Sequence, residues 1–173
     1  MNNDIQPAQP MPPKVSIRPW TEGDLLLLQR MNTEEMWAHL GGPESDVAVI
    51  ARHQRYLRAV PGKVRMFVIL FGSEPAGNVG YWQRRWKEQD VYEAGWGVLP
   101  DFQGQGIATL ATSEMLDILR TDDPKAVVHT FPSFDNPASN AICRKLGFSF
   151  LNETEFEFPP GSWIKCNDWR LVL

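Results

Sequence analysis

The chain has 173 residues, 43% apolar and 22% charged, which suits one globular domain with a substantial core. Its formal charge of −4 gives no support for general binding to nucleic acid or anionic membranes, and no apolar run is long enough to span a bilayer. Two cysteines, Cys143 and Cys166, show neither metal-ligand spacing nor the density of a disulfide scaffold, so a cytoplasmic protein with reduced thiols and no metal is expected.

Residues 1–13, MNNDIQPAQPMPP, are polar and Pro-rich, without the basic start and apolar run of a signal peptide. They read as a disordered tail before a single domain over 14–173. Residues 14–20 alternate Val15, Ile17 and Pro19 with polar neighbours, predicting a strand. Thr21 can cap a helix through about residue 31, and a second helix is expected over 46–59, before Pro61-Gly62. Residues 64–71 and 76–86 form a predicted hairpin around a turn at 72–75, and 90–99 is the next strand. The cluster Arg84-Arg85-Trp86-Lys87 reads as a solvated hairpin end, with contact to an acidic acceptor as the alternative.

Residues 91–108, VYEAGWGVLPDFQGQGIA, run from that strand through a Pro-broken loop into a glycine-bearing turn. Ile107, Leu110, Ala111, Met115, Ile118 and Leu119 then recur at helical spacing. Gly104 and Gly106 allow close approach of the main chain to a ligand. The first helical turn, 107–110, carries no carboxylate to compensate the helix dipole, leaving its free N–H groups available to an external anion. After a β-branched strand at 126–131, Asn136-Pro137 signals a helix start, with Ala138, Ala141, Ile142 and Leu146 as its buried face and Gly147 as its stop. Strands over 148–158 and 163–173 complete the chain. This order predicts a mixed α/β or α+β sheet with helices on both faces.

Gln103-x-x-Gly106-x-Ala108, followed about thirty residues later by Asn136-x-x-Ser139 and Lys145-Leu146-Gly147-Phe148, resembles the GNAT superfamily of acyl-CoA-dependent N-acyltransferases. The early text IRPWTEGDLLLLQRMN with LGGP resembles the RimJ/RimL-like branch that acetylates ribosomal-protein N-termini and some antibiotics. The resemblance spans roughly 14–173 and implies a mostly antiparallel central sheet of about seven strands flanked by about four helices. It also implies acetyl transfer from acetyl-CoA to a primary amine by direct attack on the thioester. Trp96 and Val98 would offer backbone contacts to the pantetheine arm and thioester. Gln103, Gly104, Gln105, Gly106, Ile107 and Ala108 would hold the pyrophosphate, with Asn136 and Ser139 facing the pantetheine.

The chemistry needs a base for the amine, since amines titrate well above neutrality. Glu93 is the candidate, on a strand where family members carry a glutamate; its plain alternative is an arginine partner. Family members often place Tyr seven residues after the helix-starting Asn as leaving-group acid. Here that position is Cys143, whose thiol can donate a proton or simply be a small buried hydrophobe. His129, on the sheet, is a candidate substrate contact or else a structural or surface histidine. Of seven tryptophans, Trp37 is the candidate wall of an acceptor pocket, and Trp82, Trp86 and Trp96 suit cross-strand pairing. The acceptor is a small-molecule or peptide amine of open identity, and the oligomeric state is open, a homodimer included.

Two rival readings stand beside this one. A dinucleotide-binding turn is weakened because Thr109 follows Gly104-x-Gly106 where that fingerprint has a third glycine. A protein that binds acyl-CoA as a regulator, without turnover, is the other; Glu93 argues against it.

Overall fold

In this computed structural model, which describes residues 14–158 and 161–173, every expected strand and helix appears; the tail at 1–13 lies outside the described residues. In chain order they are β1 (Val15–Pro19), α1 (Leu25–Met31), α2 (Asp46–Tyr56), β2 (Val64–Phe71), β3 (Glu74–Trp86) and β4 (Gln89–Val98). Then follow α3 (Ile107–Asp122), β5 (Val127–Thr130), α4 (Pro137–Lys145), β6 (Ser149–Glu157) and β7 (Trp163–Val172). The strands make one seven-stranded sheet in the order β1-β2-β3-β4-β5-β7-β6. All neighbours are antiparallel except β4 and β5.

Sequence alternation explains the layering. On β2, Phe67 and Ile69 enter one core with Ile107, Ala111, Met115 and Leu119 of α3, while Met66 and Val68 enter another with Leu28 and Val49 of α1 and α2. A strand buried on both faces reads as a continuous apolar run, and MFVIL is that run. Met115 and Leu119 are 0% exposed, and each such side chain contributes about 1.5–3 kcal/mol.

Several boundaries shift, each for a local reason. The first predicted helix opens as a 3-10 turn at Glu22–Asp24, because Asp24 reaches back to the Thr21 N–H and is held by Arg18 at 2.6 Å. The β2–β3 turn is shorter than expected: Gly72, at φ 65°, allows a tight reversal, and Pro75 sits inside β3 where the ladder shifts register between Ile69 and Leu70.

One feature of the sheet positions everything that follows. β4 meets β5 only at Tyr92–Val128 and Glu93–His129. β5 ends at Thr130, and Pro132, two residues on, has no N–H to continue a ladder. The β5-facing edge of β4 beyond Glu93 therefore has no strand partner among the described residues, and the sheet opens into a cleft.

Candidate active site

Two cavities occupy that cleft. The larger, about 590 Å³, lies towards Glu93; the other, about 460 Å³, lies towards the start of α3. Met36, His39, Trp96, Asn136 and Ser139 line both, so the two join where β4, α4 and the α1–α2 loop converge.

The α3 cavity is built from main chain. Gly106 is the N-cap of α3, at φ 76° and ψ 3°, a left-handed conformation that glycine adopts without a Cβ penalty. Gly104 is also left-handed, at φ 74°, and a Cβ built on either residue meets nothing within 4 Å, so both face open space. Leu110 N–H is the first to close a helical bond, onto Gly106 O at 3.1 Å. The N–H groups of Ile107, Ala108 and Thr109 thus keep no intrahelical partner, with the dipole behind them. No acidic side chain occupies the first turn.

Gln103, Gly104, Gly106, Ile107 and Ala108 line this cavity, as does Val98. Gln103 folds its amide back onto Val98 O at 2.9 Å, so its side chain braces the strand end and its backbone shapes the turn. Gln105 is not among the lining residues; its amide reaches Asp101 O instead. Asn136 caps α4, accepting from Ser139 N–H at 3.0 Å, and both residues face the junction.

Strand parity settles the direction of Glu93. Tyr92 and Ala94 belong to the α3 core, so Glu93 points to the opposite face, into the larger cavity. Burial pushes its carboxyl pKa above the ordinary value, and Arg84 Nη1, at 2.7 Å, partly opposes that rise. Opposite it on β3, Trp82 lies over Gly95, where a Cβ would come within 3.0 Å of the indole.

Three candidates do not reach the cleft. Cys143 is 0% exposed, sits in the α3 core and donates to Ser139 O; burial pushes its thiol up to about 12. Its side chain is thus among the α3 core residues and not among those lining either cavity. His129 is buried with Nδ1 2.6 Å from Asp168 of the next strand and its ring stacked on Phe131, which lines the larger cavity where His129 does not. Trp37, 5% exposed, is sandwiched between Phe158 at 6.0 Å and the Arg52 guanidinium at 4.8 Å, supporting the cavity from behind.

Other residues enter instead. Arg84 is not part of a solvated hairpin end: its guanidinium lies 4.3 Å from the Phe156 ring centroid and lines the cavity beside Glu93. Arg52, Arg55, Glu44 and Tyr56 contribute from α2 and the loop before it. His39 lines both cavities, with Nδ1 3.0 Å from Asp135, itself held by Ser133 at 2.7 Å. His39 and Asp135 are 96 residues apart, so no local signal could have paired them. For Arg84 the missed signal was period-two alternation, which puts Trp82 and Arg84 on the same face as Glu93. Among the described residues, no group of three His, Cys, Asp or Glu side chains is placed to share a metal ion. No described helix is long and apolar enough to cross a membrane.

Comparison with known proteins matches this architecture. A family model described as an acetyltransferase (GNAT) domain matches residues 14–149. No curated protein sequence matches the chain. Similar solved structures include a ribosomal-protein-alanine N-acetyltransferase from Brucella melitensis, 23% identical with a TM-score of 0.74, covering 91% of this chain and 99% of that one. The aminoglycoside acetyltransferase AAC(6')-Ib in complex with coenzyme A is 19% identical with a TM-score of 0.71, over 92% and 95% of the two chains. RimL, a ribosomal L7/L12 alpha-N-protein acetyltransferase in complex with coenzyme A, is 19% identical with a TM-score of 0.68, over 92% and 94%. At these identities the likeness establishes the fold.

Proposed function

The chain belongs to the acetyltransferase (GNAT) domain family, as an acyl-CoA-dependent N-acetyltransferase, and from that premise we propose transfer of acetyl from acetyl-CoA to a primary amine held against Glu93. The observation that carries this reading is the junction of the two cavities, where a wall of main-chain N–H groups without intrahelical partners meets a half-buried carboxylate across Trp96. The fit of the cofactor rests on the chain itself. The N–H groups of Ile107, Ala108 and Thr109, with the open glycine turn before them, suit a diphosphate. Asn136, Ser139 and the free edge of β4 suit an extended amide-bearing arm. When bound, acetyl-CoA supplies an activated acyl group.

The protein's own residues handle the protons. Glu93 takes one from the amine, directly or through water, as its nitrogen bonds to the acyl carbon; a positioned base contributes roughly 10²–10⁴-fold. The C–S bond breaks, and the sulfur takes a proton from Nε2 of His39. Asp135 on Nδ1 sets the orientation of that ring. Coenzyme thiolate is a fairly good leaving group, so His39 contributes less than Glu93. Soluble, cytoplasmic action follows from the same reading.

The test is release of free thiol from acetyl-CoA across a panel of amines and N-terminal peptides, with the acetylated product identified by mass. Amine-dependent release is expected. Binding of acetyl-CoA without release to any amine would favour the regulatory reading.

A further inference from the structure

We propose that the acceptor is a zwitterion, an α-amino acid with an apolar side chain, its ammonium at Glu93 and its carboxylate on Arg84. This rests on the reading of the cleft as an acetyl-transfer site. An α-amino acid carries its two charges on adjacent atoms, so its complement is a carboxylate and a cation side by side. Glu93 and Arg84 meet at 2.7 Å on the cavity wall and provide that pair.

The guanidinium is suited to the task. It is half-held by the Phe156 face at 4.3 Å, so it is oriented before any ligand arrives. Glu93 uses only Nη1, and Nε is buried with no hydrogen-bond partner. The planar fork thus retains donors that a carboxylate can accept from, and such charge-assisted bonds are strong.

The charges around this pair disfavour polycations. The cavity holds three arginines, Arg52, Arg55 and Arg84, against Glu44, Glu93 and Glu157. Two of the three carboxylates are paired with arginines, Glu44 with Arg52 at 2.8 Å and Glu93 with Arg84; the exposed Glu157 accepts the Gly161 N–H at 2.8 Å and keeps its charge. Arg55 has no ion-pair partner among the described residues and adds positive field over the site. A polyamine or aminoglycoside would bring several cations to a wall where, among the described residues, Glu157 is the one lining carboxylate without a cationic partner. The remaining lining, Tyr56, Trp82, Phe131 and Phe156, offers an apolar slot for the side chain.

The test is calorimetric titration of the CoA-saturated protein with phenylalanine and methionine, each against its carboxamide, and with spermidine. Thiol release from acetyl-CoA is followed in parallel. At least tenfold tighter binding of each amino acid than its carboxamide is expected, with spermidine weakest. Arg84→Gln should bring acid and amide to equal affinity; the wild-type contrast decides the matter should that variant fail to fold. Equal binding of acid and amide, preference for spermidine, or no binding by any of the five overturns the proposal. Acid-selective binding without thiol release leaves this inference standing and removes acetyl transfer. Thiol release driven best by carboxamide or spermidine does the reverse.

Discussion

Replacing Gly106 by Asp and, separately, by Asn separates electrostatics from backbone strain at the proposed diphosphate site. Both side chains tolerate a left-handed residue better than most, and a Cβ there meets nothing within 4 Å. Each variant should therefore lose about 1 kcal/mol of stability, read as a Tm fall of about 2–4 °C. They differ in charge alone. A carboxylate about 6 Å from a diphosphate charge, at an effective dielectric near 20, costs about 3 kcal/mol, or on the order of a hundredfold in Kd. CoA titration should show the Asp variant weaker than the Asn variant by that factor, with the gap narrowing in high salt. Equal CoA affinity for the two variants would refute the placement of the diphosphate at the start of α3.

Glu93→Gln should reduce kcat/KM by about 10²–10⁴-fold while leaving CoA affinity unchanged. Because burial raises the Glu93 pKa, wild-type kcat/KM should fall as pH drops through a value above the ordinary carboxylate range, and the variant should lack that limb. His39→Gln should lower kcat modestly, and the loss should shrink with an acetyl donor whose thiol is more acidic; a loss independent of donor would refute the acid role. Cys143→Ala should leave kcat/KM within twofold and cost about 1–2 kcal/mol in denaturant unfolding, whereas a large fall in activity would return the thiol to the chemistry. The Asp168 carboxyl is held below its ordinary value against the desolvation of its buried site, by His129 and the Trp86 indole. A depressed folded pKa means its stabilisation is present above the unfolded value near 3.9 and lost as pH falls below it. Asp168→Asn should flatten that acid limb of the stability curve, and an unchanged curve would contradict the assignment.

The cofactor side was legible because its determinants are local. A helix mouth needs glycine before an uncompensated first turn, and residues 103–110 state both in eight consecutive positions. The Asn136-Pro137 cap is equally local and appears as expected. The acceptor side was less legible because its walls come from distant segments. Arg84 reads as solvated from its local sequence because Phe156, which stacks on it, lies on the distant edge strand β6. Trp37 sits in the expected region but its ring is used for packing, since Arg52 and Phe158 enclose it from outside the local sequence. For His129 the choice between substrate contact and a structural role was not local, because its partner, Asp168, arrives only through the β5–β7 pairing. Cys143 illustrates a different limit. Four-residue helical spacing places it with Ser139 on one side of α4, but which flank meets the core depends on how that helix docks against α3.

The most direct measurement is a crystal structure of the protein with coenzyme A. Diphosphate oxygens are expected within hydrogen-bond distance of the Ile107, Ala108 and Thr109 amides, and the thiol at the junction between Trp96 and Glu93. A coenzyme seated elsewhere, or a thiol directed away from Glu93, would contradict this placement.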